Sequence, residues 1–395
     1  MSRTLRQRLR LTLLRCFAKC TRQRITTPAP DILPPDPRIL IVRPDHLGDL
    51  LFTTPALRAL RRRYPQSHLA ALVGPWGAPI LSDNPYVDEV ITLAFPGFTR
   101  EARSSLWGPY TLLYRWARRL RGRYDLAFIL RFDHWWGAWL AYGAGIPTRV
   151  GYDVPEVAPF LSHIVPYAPG RHEVIQNLRL LDWGVSPSVP GEEADWCAQD
   201  IRPVGRRLAL EFSVAEPAHA WARTLLGVRS AIAIHPGAGA PVKLWRASRW
   251  AAVADALSAE TGAQILLTGA PAERALGLAI AEKMHSQAWV VAGETTLGQL
   301  AALFTRCRLV LGVDSGPLHL ASAVGTPTVH LYGPVDRAAF GPWGDAARHR
   351  ALVSAWPCIP CNRLDYAPEV LAHHPCVREI SVQEVLTAAR KALAA

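Results

Sequence analysis

Three things are scarce in this chain: long apolar runs, lysine, and acid near its start. No uninterrupted apolar stretch approaches the roughly 18 residues that a spanning helix needs, so an integral membrane protein is not expected. A signal peptide is not expected either, because Arg10, Arg15 and Lys19 interrupt every candidate apolar core near the start. The seven cysteines carry no extracellular signature and fit a reducing cytoplasm. Internal repeats and low-complexity segments are absent. What remains is a chain of 395 residues, 50% hydrophobic, able to bury a sizeable core and expected to form two domains.

Residues 1–24 contain Arg3, Arg6, Arg8, Arg10, Arg15, Lys19, Arg22 and Arg24 and no Asp or Glu, so +8 of the net charge of +12 sits in this leader. Leu5, Leu9, Leu13, Cys16, Phe17 and Cys20 recur there at helical spacing, with most of the basic residues opposite. That pattern suits a helix lying on an anionic membrane surface. A nucleic-acid tail or a disordered start would also account for it. Residues 25–37, ITTPAPDILPPDP, follow as a proline-rich tether that cannot be helical.

The densest chemistry lies at Val313 to Pro334, VDSGPLHLASAVGTPTVHLYGP. The apolar run Arg308 to Val313 reads as a buried strand, Asp314 to Pro317 as a tight turn and Leu318 to Val324 as a short helix. The first amides of such a helix lack intrahelical partners and favour an anion, and Gly316 would let a phosphate approach the backbone. Asp314 and Ser315 are placed to cap the same helix, which is the structural alternative for both.

A second turn of this kind is AIAIHPGAGAPVK, from Ala231 to Lys243, where a buried strand runs through His235 into the Gly237 to Gly239 loop. Alone, HPGAG is a weak signal, since glycines after a strand often mark only a turn. The scarcity of lysine strengthens it. Of 44 Lys and Arg only Lys19, Lys243, Lys283 and Lys391 are lysines, and Lys243 lies just past this loop, where an ammonium can meet a diphosphate. Between the two turns QILLTGAPAE ends in Glu273, an acceptor for a ribose or base, or else a solvated helix-start residue.

Near the front, ILIVRPDHLGDLLFTTP (Ile39 to Pro55) reads as a continuous apolar strand, a polar turn with Gly48 and Asp49, then a helix. Ligands of doubly wound sheets sit outside the carboxyl ends of strands, which makes Asp49 either a general base or an N-cap.

These residues resemble glycosyltransferase family 9, the heptosyltransferase family of lipopolysaccharide core assembly. The resemblance covers roughly residues 38–395 and rests on ILIVRPDHLGDLLFTTPALRALRRRYP, HPGAGAPVKLWRASRW and LVLGVDSGPLHLASAVGTPTVHLYGP. It implies an α/β GT-B fold, two Rossmann-like doubly wound domains facing across a cleft. It also implies an inverting, metal-independent transfer of a sugar, ADP-heptose being the donor in view, to a lipopolysaccharide-core or related lipid-linked or glycan acceptor, with no cofactor. Asp49 would be the catalytic base. Lys243 would hold the donor phosphate, and Asp314, Ser315, Gly316 and His319 would line the donor pocket with His235, Gly237, Gly239 and Glu273. The chain departs from the family pattern at ILRFDHWWGAW (Ile129 to Trp139), where many members carry an aspartate-glutamine-glycine type segment. That segment falls in the acceptor half.

The expected divisions are 1–37, leader and tether; 38–186, the acceptor domain; 187–228, linker and entry helix; and 229–395, the donor domain. In the acceptor domain Arg115, Arg118, Arg119, Arg121 and Arg123 form a basic run, either a solvated helix face or a cradle for an acidic or phosphorylated acceptor. Trp107, Trp116, Trp135, Trp136 and Trp139 are interleaved with it, and Arg43, Arg115, Arg118, Arg119 and Trp135 are the acceptor-binding candidates. Near the C-terminus Cys358, Cys361 and Cys376 lie close to His373 and His374. CxxC with a third cysteine can hold zinc if a histidine joins it, but without a second CxxC the signal is weak and no metal is expected.

Two rival classes fit parts of the pattern. A non-catalytic nucleotide-sugar binder would keep the donor turns without using Asp49, and an epimerase or hydrolase of the same fold would act on the donor alone. The balance of motifs favours a cytoplasmic transferase, peripheral on the inner face of the plasma membrane, with no nucleic-acid partner.

Overall fold

Among the described residues twelve short strands, most of them apolar runs, form two six-stranded sheets, and every pairing in both is parallel. The structure, a computed structural model, describes residues 33–99, 107–183 and 208–395. The basic leader, most of the tether and residues 187–207 of the expected linker lie outside the described residues.

The first sheet contains β1 (Ile39–Arg43), β2 (Leu69–Val73), β3 (Glu89–Thr92), β4 (Leu126–Ile129), β5 (Thr148–Tyr152) and β6 (His163–Val165). Its order is β3-β2-β1-β4-β5-β6. β1 is central, with Ile39 registered on Leu69 to one side and on Leu126 to the other. Strands covered on both faces read as unbroken apolar runs, and β1 and β2 are buried along their whole length. The helices that matter below are α1 (Leu47–Leu51), α2 (Gly108–Leu120), α3 (Trp135–Gly143), α4 (Glu173–Arg179) and, in the second half of the chain, α5 (Gly316–Ala323).

The second sheet contains β7 (Ala231–His235), β8 (Gln264–Leu267), β9 (Ala288–Val290), β10 (Cys307–Val313), β11 (Thr328–Tyr332) and β12 (His349–Val353), in the order β12-β11-β10-β7-β8-β9. Renumbered from its own first strand, this is the order of the first sheet. Each half is therefore a Rossmann-type sheet, whose strand order reverses between β1 and β4 in one and between β7 and β10 in the other. Ligands of such sheets bind beyond the carboxyl ends of the strands at that reversal.

Packing divides the chain into two units, Met1–His46 with Thr53–Gln199, and Leu47–Phe52 with Asp200–Ala395. Each has its own apolar core, one around Leu40, Phe95, Trp136 and Phe160 and the other around Ile232, Trp250, Leu311 and Val385. The helix Glu216–Leu226 falls in the segment expected as linker and entry helix; it buries Ala222 and Leu226 and groups with the second unit. Among the described residues no helix is long and apolar enough to cross a membrane.

Candidate active site

The sequence candidates of the second unit gather at the β7/β10 reversal. β7 ends at His235 and runs into the Gly237 to Gly239 loop, while β10 ends at Val313 and delivers Asp314 and Ser315 to the start of α5. Lys243 Nζ lies 2.6 Å from Asp314 Oδ2, an ion pair whose side chains are only 16% and 8% exposed. This pair clasps the two turns together across 71 residues of sequence. It also fixes the ammonium beside the start of α5, where unpaired amides add positive potential.

Capping, the structural alternative for Asp314 and Ser315, does not hold. Asp314 is spent on Lys243, and Ser315, at the N-cap position, makes no side-chain capping bond. Among the described residues its Oγ is buried without a hydrogen-bond partner. A hydroxyl so placed beside free helix amides suits an anionic oxygen.

Two glycines have roles other than the expected one. Gly316 was expected to admit a phosphate, but the space its missing side chain leaves is taken by Leu47: a Cβ on Gly316 would lie 2.8 Å from Leu47 Cβ. Gly237 similarly makes room for the Glu273 carboxylate, which would clash with any side chain there. A Cβ on Gly239 would meet nothing within 4 Å, so the loop is open at that residue. Glu273 is more than a solvated helix-start residue. Its Oε2 accepts a hydrogen bond from the Ala270 amide at 2.7 Å and lies 3.8 Å from Nε2 of His235. His235 Nδ1 contacts Thr268 Oγ1 at 3.0 Å, and burial pushes its imidazole down to about 4 despite the opposing pull of Glu273. His235 is thus a neutral hydrogen-bonding group at neutral pH.

The first-motif turn belongs with these elements. α1, which carries Asp49 half-buried in its first turn, groups with the second unit and packs on α5. A Cβ on Gly48 would lie 3.0 Å from Cδ2 of His319, and the ring of Phe52 meets His319 edge-on at 4.6 Å. His319 is 3% exposed, so its ring is the seat for this turn more than an open ligand group. Behind it lies His330, with ring centroids 5.3 Å apart.

Arg43 departs furthest from expectation. Placed among the acceptor-binding residues by sequence, it is 2% exposed and locked in a charge network at the β1/β4 reversal of the first unit. Its Nε lies 2.7 Å from Asp45, and its Nη1 lies 2.7 Å from Glu173 and 3.2 Å from Asn177 Oδ1 on α4. Asp45 is held in turn by Arg131, which also binds Asp133 at 2.5 Å. Burial alone would raise the Asp45 carboxyl, but Arg43 and Arg131 outweigh it and hold it below the ordinary carboxylate range. The network pins the segment Arg43 to Asp45 that leads into α1. Sequence reasoning missed Asp45, Arg131, Glu173 and Asn177. The available signal was Glu173 and Asn177, four residues apart amid Val174, Ile175 and Leu178.

Of the other acceptor candidates, Trp135 follows β4 at the carboxyl edge, whereas the arginines lie along α2. Trp135 is half-buried at the start of α3, with its ring 6.2 Å from that of Trp139. Arg115, Arg118 and Arg119 lie exposed on the outer side of α2, a crossover helix that runs antiparallel to the strands and carries them away from the carboxyl edge. Among the described residues no group of three or more His, Cys, Asp or Glu is arranged to hold a metal ion. Cys376 is buried and Cys358 exposed, while Cys361 is half-buried with its Sγ 3.6 Å from the Tyr366 hydroxyl.

Comparison with known proteins identifies the group to which this chain is similar. The family "glycosyltransferase family 9 (heptosyltransferase)" matches residues 113–367. Lipopolysaccharide heptosyltransferase 2 of Escherichia coli K12 is 26% identical over 363 residues, covering 88% of this chain and 96% of that one. A family 9 glycosyl transferase from Veillonella parvula superposes with a TM-score of 0.71 at 24% identity, covering 91% of this chain and 97% of that one. E. coli ADP-heptose LPS heptosyltransferase II does so with 0.68, also at 24% identity, covering 90% and 98%. These two likenesses establish the fold as that of this group.

Proposed function

The chain belongs to glycosyltransferase family 9 and is a glycosyltransferase, and from that premise we propose that it transfers heptose from ADP-heptose to a sugar hydroxyl of a lipopolysaccharide-core acceptor, inverting the anomeric carbon without a metal. The observation that carries this reading is the seating of the Asp49 turn on α5, at the reversal where Lys243, Ser315 and the Gly239 loop meet.

In this reading the nucleoside diphosphate lies against the Gly239 loop and the N-terminus of α5. Lys243 and the free amides stabilise the charge that grows on the leaving diphosphate, supplying what a metal supplies in other transferases. Glu273 and neutral His235 offer hydrogen bonds to the nucleoside. Asp49 takes the proton from the acceptor hydroxyl as it attacks, and the bond to the diphosphate breaks in the same displacement. Its transition state resembles an oxocarbenium ion. The charge network around Arg43 and Asp45 holds the carboxyl end of β1 within its own unit. The acceptor's lipid anchor and the basic segment 1–24 support a peripheral place on the inner face of the plasma membrane.

The test incubates purified protein with ADP-heptose and a core oligosaccharide lacking the terminal heptose. The expected result is an acceptor heavier by one heptose and release of ADP in equal amount. ADP release that is independent of acceptor would favour a hydrolase, and donor binding without turnover in any acceptor would favour a sensor. Mass spectrometry of core oligosaccharide from cells lacking this chain identifies the sugar in vivo.

A further inference from the structure

We propose that the outer face of α2 is a docking surface for an anionic lipid bilayer, separate from the basic segment at residues 1–24. α2 is a 13-residue helix that buries Leu113, Ala117 and Leu120 against its own unit. On the opposite side Trp107, Thr111, Tyr114 and Arg118 follow one another at spacings of four, three and four, which stacks them in a single stripe. Trp107 is 74% exposed and Tyr114 62%, with Tyr110 beside them at 41%. Water-facing aromatics of this size, repeated turn after turn, are uncommon on a soluble helix. They are the residues that settle at the headgroup level of a bilayer.

The charge on this face points the same way. No Asp or Glu occurs from Gly108 to Tyr124, and among the described residues Arg115, Arg118, Arg119 and Arg121 form no ion pair. Arg118 lies over the Tyr114 ring at 5.8 Å, and Arg119 over Trp116 at 4.7 Å. Both guanidinium groups are therefore held against aromatic surface while remaining exposed. Arg123 is excluded from this set, because it is bound to Glu89 at 3.0 Å. An aromatic stripe flanked by unpaired cations complements phospholipid headgroups over an apolar boundary, and a helix used this way lies in the plane of the interface.

The position of the face fits a lipid-linked substrate. As a crossover between the parallel strands β3 and β4, α2 begins at the carboxyl edge of the first sheet, the edge that carries the β1/β4 reversal. The indole nitrogen of Trp136, on α3 just after β4, donates to the Pro109 carbonyl at 3.1 Å and ties the start of α2 to that edge. Trp107 and Tyr110 thus stand where a glycan rooted in a membrane would approach this unit. The inference does not rest on the assignment of Asp49 or of the sugar, and it holds or falls separately from the leader.

The experiment measures sedimentation of the full-length chain with vesicles of phosphatidylglycerol and phosphatidylethanolamine, against vesicles of phosphatidylcholine alone. It compares wild type with Arg115→Gln/Arg118→Gln/Arg121→Gln, with Trp107→Ser/Tyr114→Ser, and with a variant in which Arg3, Arg6, Arg8 and Arg10 are glutamine. Melting temperature confirms that each variant is folded. Both α2 variants are expected to bind anionic vesicles at least tenfold more weakly, and wild-type binding is expected to fall with salt. A loss in the α2 variants with none in the leader variant supports the proposal and removes the leader as an anchor. Wild-type binding by both α2 variants overturns it, whatever the leader variant does, and so does equal binding of wild type to neutral and anionic vesicles.

Discussion

Gly316 and Leu47, 269 positions apart, share one space: a Cβ on Gly316 would lie 2.8 Å from Leu47 Cβ. Gly316→Ala should push α1 off its seat, displacing Asp49, with a loss in turnover of about tenfold or more and a lower melting temperature. Leu47→Gly removes the obstructing side chain, Cβ included, so the double variant Leu47→Gly/Gly316→Ala should recover part of the activity that Gly316→Ala loses. A double variant no better than Gly316→Ala would show that the glycine serves something other than this contact.

Asp49→Asn should keep the fold and the donor affinity while turnover falls by about a hundredfold or more, the usual size of a general-base effect. Steady-state kinetics with calorimetric donor binding checks both halves. Near wild-type turnover would remove Asp49 from the mechanism.

Lys243→Ala should weaken nucleoside diphosphate binding by about 1.5 to 3 kcal/mol, the scale of a hydrogen bond to a charged group. It should also lower stability, because Asp314 is left 8% exposed at its side chain and without its ammonium partner. Lys243→Arg should restore only part of the affinity, since the guanidinium is wider and planar. Calorimetric affinity unchanged in Lys243→Ala would reject the role.

Acid should destabilise the fold through two histidines. Burial pushes His134 down to about 3, outweighing the neighbouring Asp45, and pushes His235 down to about 4. The unfolded chain takes up these protons near pH 6.5 while the folded chain resists them until pH 4 or below. Stability is therefore full above about 6.5 and is lost as pH falls, by about 3 kcal/mol for each histidine at pH 4. His134 has neither ring nitrogen hydrogen-bonded among the described residues and sits edge-on to Phe95 and Phe98. His134→Phe should therefore flatten the slope of denaturation free energy against pH between 6.5 and 4. An unaltered slope would mean that His134 takes up its proton in the folded chain as readily as in the unfolded one.

Much of this architecture was legible because buried parallel strands leave continuous apolar runs. Expected strands at Ile39 to Val42, His68 to Val73 and Leu126 to Leu130 formed at Ile39–Arg43, Leu69–Val73 and Leu126–Ile129. The turns after β7 and β10 were legible for the same reason, as breaks of glycine and polar residues at the ends of those runs. Partners distant in sequence were not legible. Nothing beside Arg43 announces Glu173, 130 residues on, so an arginine at a strand end read as a ligand group when it was half of a buried pair. The Asp314 partner Lys243 is distant in sequence, so the ion pair was not expected, and Gly316 read as an anion site because Leu47 is distant too. The spacing of the arginines on α2 was plain, but which way that side of the helix faces depends on α3 packing against the other side.

The placement of Leu47–Phe52 with the second unit bears on any attempt to exchange halves between members of this family. A hybrid joined in the segment between the two sheets would inherit these six residues from one parent and their seat, Gly316 and His319, from the other. Mismatched side chains there would give hybrids that fold as two sound halves yet turn over poorly. Moving the hexapeptide together with the C-terminal half, as a second short graft, should repair them.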